Sequence, residues 1–340
     1  MTSGRFVALA TITAACVIAA VLVYMPSVKW SHAIPNGVPL LENLQSDAPK
    51  IAQIEVDQGA DKLTLDHEGH EWVLKEHEAF PASPEKVRAF LMSLAEAKLV
   101  EAKTRQRDRY ALLGLEDPTA KDAKSRLVRL KDDKGTVVAD VIVGNQRSDA
   151  FGTGKSGTYI RKPGDEQTWL VDTKIDAGTD VKNWVQSRLF EVRLEDVKHL
   201  SVKLPSEEAL NFDQTEDGMR HVLSNIPDGM KLKYVDAPDD IIAVATALNF
   251  DDVRRPETKP GSDKASTVAW ELENGLRVTL KIERDDGGAW LSIEATGEGE
   301  AKKEADALMA RAKAWEFRIS KTNADSILPH HDDILEKVSS

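Results

Sequence analysis

The chain has 340 residues, enough for two domains that each bury a core. It carries 45 Lys and Arg against 57 Asp and Glu, a formal net charge of -12 with no long basic block, which excludes a nucleic-acid-binding footprint. The single cysteine, Cys16, leaves everything after it without a disulfide framework, a zinc–thiolate site or a cysteine nucleophile.

In chain order, the first expected element is a transmembrane anchor over residues 6–25. Phe6 to Met25 reads FVALATITAACVIAAVLVYM without a charge. As a helix rising about 1.5 Å per residue, it spans roughly 30 Å, the hydrocarbon thickness of a bilayer. Ser31, His32 and Ala33 make a poor signal-peptide cleavage site after so long a core, and the apolar run continues past the TAAC ending at Cys16, against a lipoprotein box. Arg5 against Lys29 leans toward a cytoplasmic tail at 1–5 and an external C-terminal part. Residues 26–50 read as a linker broken by Pro26, Pro35, Pro39 and Pro49, its later half docked through Val38, Leu40, Leu41 and Leu44.

Beyond the linker the chain lies over itself. Ile54 and Val56 match Leu200 and Val202, and Leu63 and Leu65 match Leu210 and Phe212; their alternation with polar residues predicts strands. SPEKVRAFLMSLAEAKLVEAKT, from Ser83, aligns without gaps on APDDIIAVATALNFDDVRRPET, from Ala237. Pro84 and Pro238 stand in the first turn, and one apolar stripe repeats in both. Strands resume in LVRLKDDKGTVVADVIVG and VAWELENGLRVTLKI; Trp169-Leu170 then pairs with Trp290-Leu291, and FEVRL with WEFRI. The fold class expected is α+β: a transmembrane helix, then two tandem, mutually similar modules over 51–194 and 195–335, each an antiparallel sheet with a covering helix.

The order PLLENL, IAQIEV, Trp72-Val73-Leu74, VRAFLMSLAEAKLVEAKT, Tyr110 with GLEDP, VADVIVGN, GTYIRKPGDEQTWLV and NWVQSRLFEV resembles the bacterial family known as domain of unknown function 4340. The resemblance covers about Val38 to Val202 well and the second copy more loosely. It implies a single-pass, membrane-anchored protein with a large external domain, in a family some of whose members are encoded beside gliding-motility-type ABC transporters. It carries over no catalytic residues. One departure is RYALLGLEDP, where the family pattern places Tyr closer to Gly114-Leu115.

Among candidate sites, FGTGKSGTYI ends like a phosphate-binding loop. However, Asp149 stands where the first glycine belongs, and a strand follows where a helix is required. A Gly-rich hairpin is the better reading, with Phe151, Gly152, Gly154, Lys155 and Ser156 as a partner-contact loop and no nucleotide bound. His67 and His70, with Glu68 and Glu71, lack the helical H-E-x-x-H spacing of a zinc pair and read as solvated turn residues. His330, His331, Asp332 and Asp333 read as helix-start polarity. Trp72, Trp169, Trp270, Trp290 and Trp315 read as core, with a ligand cage as the alternative. No G-x-S-x-G elbow occurs, and no metal or cofactor site is expected.

The functional expectation is a non-catalytic, periplasmic protein anchored in the bacterial inner membrane, an accessory or scaffold with protein partners in an ABC-type transport or envelope complex. The alternative is a periplasmic module for a small ligand or envelope polymer, bound between the two copies. An enzyme stands third.

Overall fold

The computed structural model describes residues 37–256 and 265–338. Its first ten strands are β1 (Val38–Pro39), β2 (Gln53–Gln58), β3 (Asp61–Glu68), β4 (Glu71–Leu74), β5 (Phe80–Pro81), β6 (Lys98–Ala102), β7 (Arg126–Lys131), β8 (Val137–Arg147), β9 (Gly157–Arg161) and β10 (Thr168–Val171). The others are β11 (Val197–Lys203), β12 (Leu210–Gln214), β13 (His221–Leu223), β14 (Met230–Leu232), β15 (Asp252–Arg254), β16 (Ser266–Leu272), β17 (Arg277–Asp285), β18 (Gly288–Thr296), β19 (Glu316–Ser320) and β20 (Leu335–Lys337). The helices are α1 (Leu44–Asp47), α2 (Pro84–Glu96), α3 (Ala237–Ala245), α4 (Glu300–Ala312), α5 (Lys321–Ile327) and α6 (His331–Ile334).

These elements form two compact, sheet-rich units. Of the described residues, 37–67 and 87–179 make the first, and 68–86 with 180–256 and 265–338 make the second. The first unit's sheet runs β1-β6-β10-β9-β8-β7-β2-β3, antiparallel throughout. Period-two alternation puts Ile54, Val56, Leu63 and Leu65 in its core at 0 % exposure. Val87, Phe90 and Leu94 form the buried stripe of α2. Leu40 and Leu44, after the prolines of the linker, are buried too. At Gly114 the backbone has φ +64°, and an added Cβ would lie 2.6 Å from the Asn145 Oδ1 atom, so only glycine fits the turn between Tyr110 and Leu115.

The second unit's main sheet runs β13-β12-β11-β16-β17-β18-β19-β15, again antiparallel, and β14 pairs with β20. Reading β2, β3, β7, β8, β9, β10 and β6 onto β11, β12, β16, β17, β18, β19 and β15 gives one strand order in both units. Helix α4 enters between β18 and β19, where the first unit has only the short turn between β9 and β10, and it buries Ala301, Ala305, Leu308 and Ala312. That insertion corrects the linear alignment by one strand. Trp169 lies in β10, whose counterpart is β19, whereas Trp290 lies in β18. FEVRL is not a strand, while residues of WEFRI form β19.

The anchor expected over 6–25, the tail at 1–5 and the start of the linker lie outside the described residues. Among the described residues no helix is long and apolar enough to cross a membrane, a statement about helices and not strands. The longest, α2 and α4, have 13 residues each, about 20 Å of helix, and each buries only one stripe. The transmembrane part of the expected fold is therefore corrected. The single-pass inner-membrane topology, the periplasmic placement, the transport-complex role and the periplasmic binding alternative, all of which rested on it, are set aside.

Candidate functional site

The Gly-rich segment is the loop between β8 and β9. Asp149 sits at φ 51°, and its carboxylate accepts the Gly154 amide at 2.6 Å. Lys155 N–H donates to the Gly152 carbonyl at 2.9 Å, and Phe151 N–H to the Lys155 carbonyl at 3.1 Å. The carboxylate thus occupies the amide that a phosphate would use, and β9 follows in place of a helix. Phe151 leans over Gly157, where an added Cβ would meet its ring at 2.9 Å. Gly152, Gly154 and Lys155 are exposed and Ser156 is half-buried.

His67 is the penultimate residue of β3 and His70 lies in the following turn, both exposed. His330 and His331 open α6 and hold Glu207: His330 Nδ1 is 2.5 Å from its Oε1, and His331 N–H donates to its Oε2 at 3.0 Å. Among the described residues no group of three or more His, Cys, Asp or Glu is placed to hold a metal ion. Nearby, an open depression of about 790 Å³ presents Asp240, Arg284, Lys321, Asp325, His330 and Asp333. Arg284 is spent on Asp325 at 2.5 Å, and Asp333 accepts the His330 amide at 2.8 Å. His330, in turn, is paired with Glu207, so three of the depression's charged groups are already engaged in ion pairs.

The second unit holds a different kind of cavity. Alternation in WEFRI buries Trp315, Phe317 and Ile319 on one side of the β19 segment. Phe250 N–H donates to the Ser187 carbonyl at 3.0 Å and Leu189 N–H to the Leu248 carbonyl at 2.9 Å, which fixes Phe250 beside Leu189. Phe80, delivered by β5, meets Trp315 edge-on at 4.9 Å, Phe250 at 5.9 Å and Phe317 at 6.3 Å between centroids. With Ile293 and Leu308 these rings line a partly open cavity of about 300 Å³. The Arg255 guanidinium stacks over the Trp315 ring at 3.6 Å from its centroid, which pins that ring from another side.

Three polar side chains stand in the cavity lining: Gln186, Arg188 and Arg311, all exposed. Arg188 is paired with Glu191 at 3.0 Å. Arg311, on α4, has no ion pair or side-chain hydrogen bond among the described residues. A mostly apolar cavity beside a guanidinium without a described partner has the chemistry to suit an amphipathic anion.

The segment that brings Phe80 is held by charge. His77 Nδ1 lies 3.0 Å from the Asp252 carboxylate of β15. The Asp252 hydrogen bond raises the His77 pKa above the ordinary histidine value, against the opposing effect of burial. Burial pushes the Asp252 carboxyl up, but the His77 hydrogen bond, the Val253 amide and nearby charges outweigh it and hold the carboxyl below its usual range.

Sequence reading places Trp315 in the core and Lys155 in a partner-contact loop, but it misses Phe80, Phe250 and Arg311. Phe80 stands alone in EHEAFPAS with no periodicity around it. An isolated aromatic in a charged stretch was the one signal available.

Fold and site together define an α+β protein of two sheet-rich units with an aromatic cavity in the second. A family model described as domain of unknown function (DUF4340) matches residues 72–269, more than half of the chain, and the chain belongs to that family. The matched stretch includes Phe80 and Phe250 but ends before Arg311, Trp315 and Phe317, so the cavity draws only part of its lining from it. No curated protein and no solved structure matches the chain.

Proposed function

We propose that this chain is a non-catalytic binding protein whose second unit takes a small amphipathic monoanion, such as a medium-chain carboxylate. The apolar end packs against Phe80, Phe250, Trp315 and Phe317, and the anionic head meets Arg311. The observation that carries the reading is Arg311, without an ion pair or side-chain hydrogen bond among the described residues, in the lining of a mostly apolar cavity. At about 300 Å³ the cavity stands at the lower end of the sizes that ligand sites occupy, which favours a short chain over a large cofactor. Burying about five methylenes contributes roughly 4 kcal/mol, and a charge-assisted hydrogen bond about 1.5–3 kcal/mol. After the cost of immobilising the ligand, affinity falls in the micromolar to millimolar range.

Isothermal titration of the full chain with octanoate tests the reading. One saturable site is expected, weakened about tenfold by Arg311→Gln and abolished by Leu308→Trp, which fills the cavity. Octanol should bind wild type and Arg311→Gln alike. Absence of saturable heat with both ligands sinks the proposal, and an unchanged octanoate affinity in Arg311→Gln removes the anion from it.

A further inference from the structure

We propose that the open depression lined by α3, α5 and α6 is a second binding site, and that it takes a short zwitterionic peptide with aliphatic side chains, its ammonium on Asp240 and its carboxylate on Lys321. The site shares no lining residue with the aromatic cavity and does not depend on it. Its buried lining is apolar. Ala237, Ile241 and Val244 recur at four and three residues along α3, which puts them on one face of that helix, and Leu328, Pro329 and Ile334 stand with them in the lining. Ile241, Leu328 and Ile334 are buried, whereas the charged residues of the lining are exposed and form its rim.

The rim charges divide into two kinds. Arg284 is engaged: it meets Asp325 at 2.5 Å and donates to the Ala324 and Leu328 carbonyls at 3.3 and 3.4 Å. His330 is engaged with Glu207 at 2.5 Å, and Asp333 accepts the His330 amide at 2.8 Å. These contacts build the walls, because they tie α5 and the residue after it to β17, and the start of α6 to the loop after β11. Asp240 and Lys321 make no ion pair or side-chain hydrogen bond among the described residues, with each other or with any neighbour. They leave one charge of each sign open on the rim of a depression whose walls are already fixed.

The class of occupant follows from charge and size. A simple anion drawn to Lys321 would also meet Asp240 and Asp333, and a simple cation drawn to Asp240 would meet Lys321 and Arg284. A zwitterion satisfies both open charges at once. At about 790 Å³ the depression lies in the upper part of the range that ligand sites occupy, which favours a peptide over a single amino acid. Two residues of extended chain separate the termini of a dipeptide by up to about 7 Å. It therefore reaches two side chains that stand on separate helices and do not pair with each other, while its aliphatic side chains cover Ile241 and Leu328.

Calorimetric titration of the full chain with the dipeptide Leu-Leu tests the site. One saturable site is expected, weakened about two- to fivefold by Asp240→Asn and by Lys321→Gln, two exposed positions where the fold is not at stake. N-acetyl-Leu-Leu should bind Asp240→Asn and wild type alike, because the charge that Asp240 meets is gone. Leu-Leu amide should in the same way bind Lys321→Gln and wild type alike. Saturating octanoate and Arg311→Gln should each leave the Leu-Leu affinity unchanged. Absence of saturable heat with Leu-Leu, an affinity unchanged in either rim variant, or displacement of Leu-Leu by octanoate overturns the site. Saturable Leu-Leu binding in a chain that gives no heat with octanoate supports this site while the reading of the aromatic cavity fails.

Discussion

Replacing Ala79 by glycine should stabilise this protein, although glycine ordinarily destabilises. Ala79 is held at φ 61°, where an L-residue costs roughly 1–2 kcal/mol and glycine costs nothing. Its methyl group is exposed, so little packing is lost. The greater freedom of glycine in the unfolded chain takes back about 0.4–1 kcal/mol. The balance is a gain of about 0.5–1 kcal/mol, expected as a rise of about 1–3 °C in the transition that unfolds the second unit. Differential scanning calorimetry of the full chain, with exchange at the Ala82 amide as a local probe, reads both effects. A lower Tm in Ala79→Gly would refute the strain argument.

The opposite change at Gly114 gives the matching control. Gly114→Ala places a Cβ 2.6 Å from Asn145 Oδ1 at a φ of +64° and should destabilise the first unit by about 2 kcal/mol or more, read as a lower urea midpoint. Phe80→Ala should cost about 2 kcal/mol, below the range for a fully buried phenylalanine because the ring is half-exposed, and should widen the cavity enough to admit branched carboxylates in the titration. The stability difference between wild type and His77→Gln should depend on pH. Because folding raises the His77 pKa, its contribution is complete below about pH 6.5 and is lost as pH rises through the raised value. Because folding lowers that of Asp252, its contribution is present above about pH 3.9 and is lost as pH falls through the lowered value. Partial solvent exposure of both groups limits the difference to about 0.5–1 kcal/mol, largest between about pH 4 and 6.5 in urea melts. Equilibrium dialysis should detect no ATP binding, and Lys155→Ala should change nothing; a measurable affinity lost in that variant would overturn the reading of the Asp149 loop.

Much of the local structure follows from neighbouring residues alone. Alternation at Ile54 and Val56, and at Leu210 and Phe212, specifies strands with one buried face, because side chains of an extended chain point alternately. The stripe Val87, Phe90 and Leu94 specifies α2 in the same way at the helical period. Asp149 and the strand after Lys155 likewise argue against a phosphate loop without any knowledge of the fold.

Which strand lies beside which is a different matter, since pairing joins residues distant in the chain. The inserted stretch GEGEAKKEADALMARAKAW, which holds α4, is visible in the sequence, but that it moves the counterpart of β10 from β18 to β19 is decided by strand pairing. The cavity is more remote still from local pattern. Phe80, Phe250, Arg311 and Phe317 come from separate strands, loops and a helix, and nothing near each residue marks it as a partner of the others. The left-handed backbone at Glu78 and Ala79 runs against local preference and persists through tertiary contacts such as those of His77 and Phe80. Sequence by itself determined the periodic elements and their buried faces, because periodicity is a property of neighbours; only the tertiary structure decided strand order and cavity, because both are made by residues that meet across the fold.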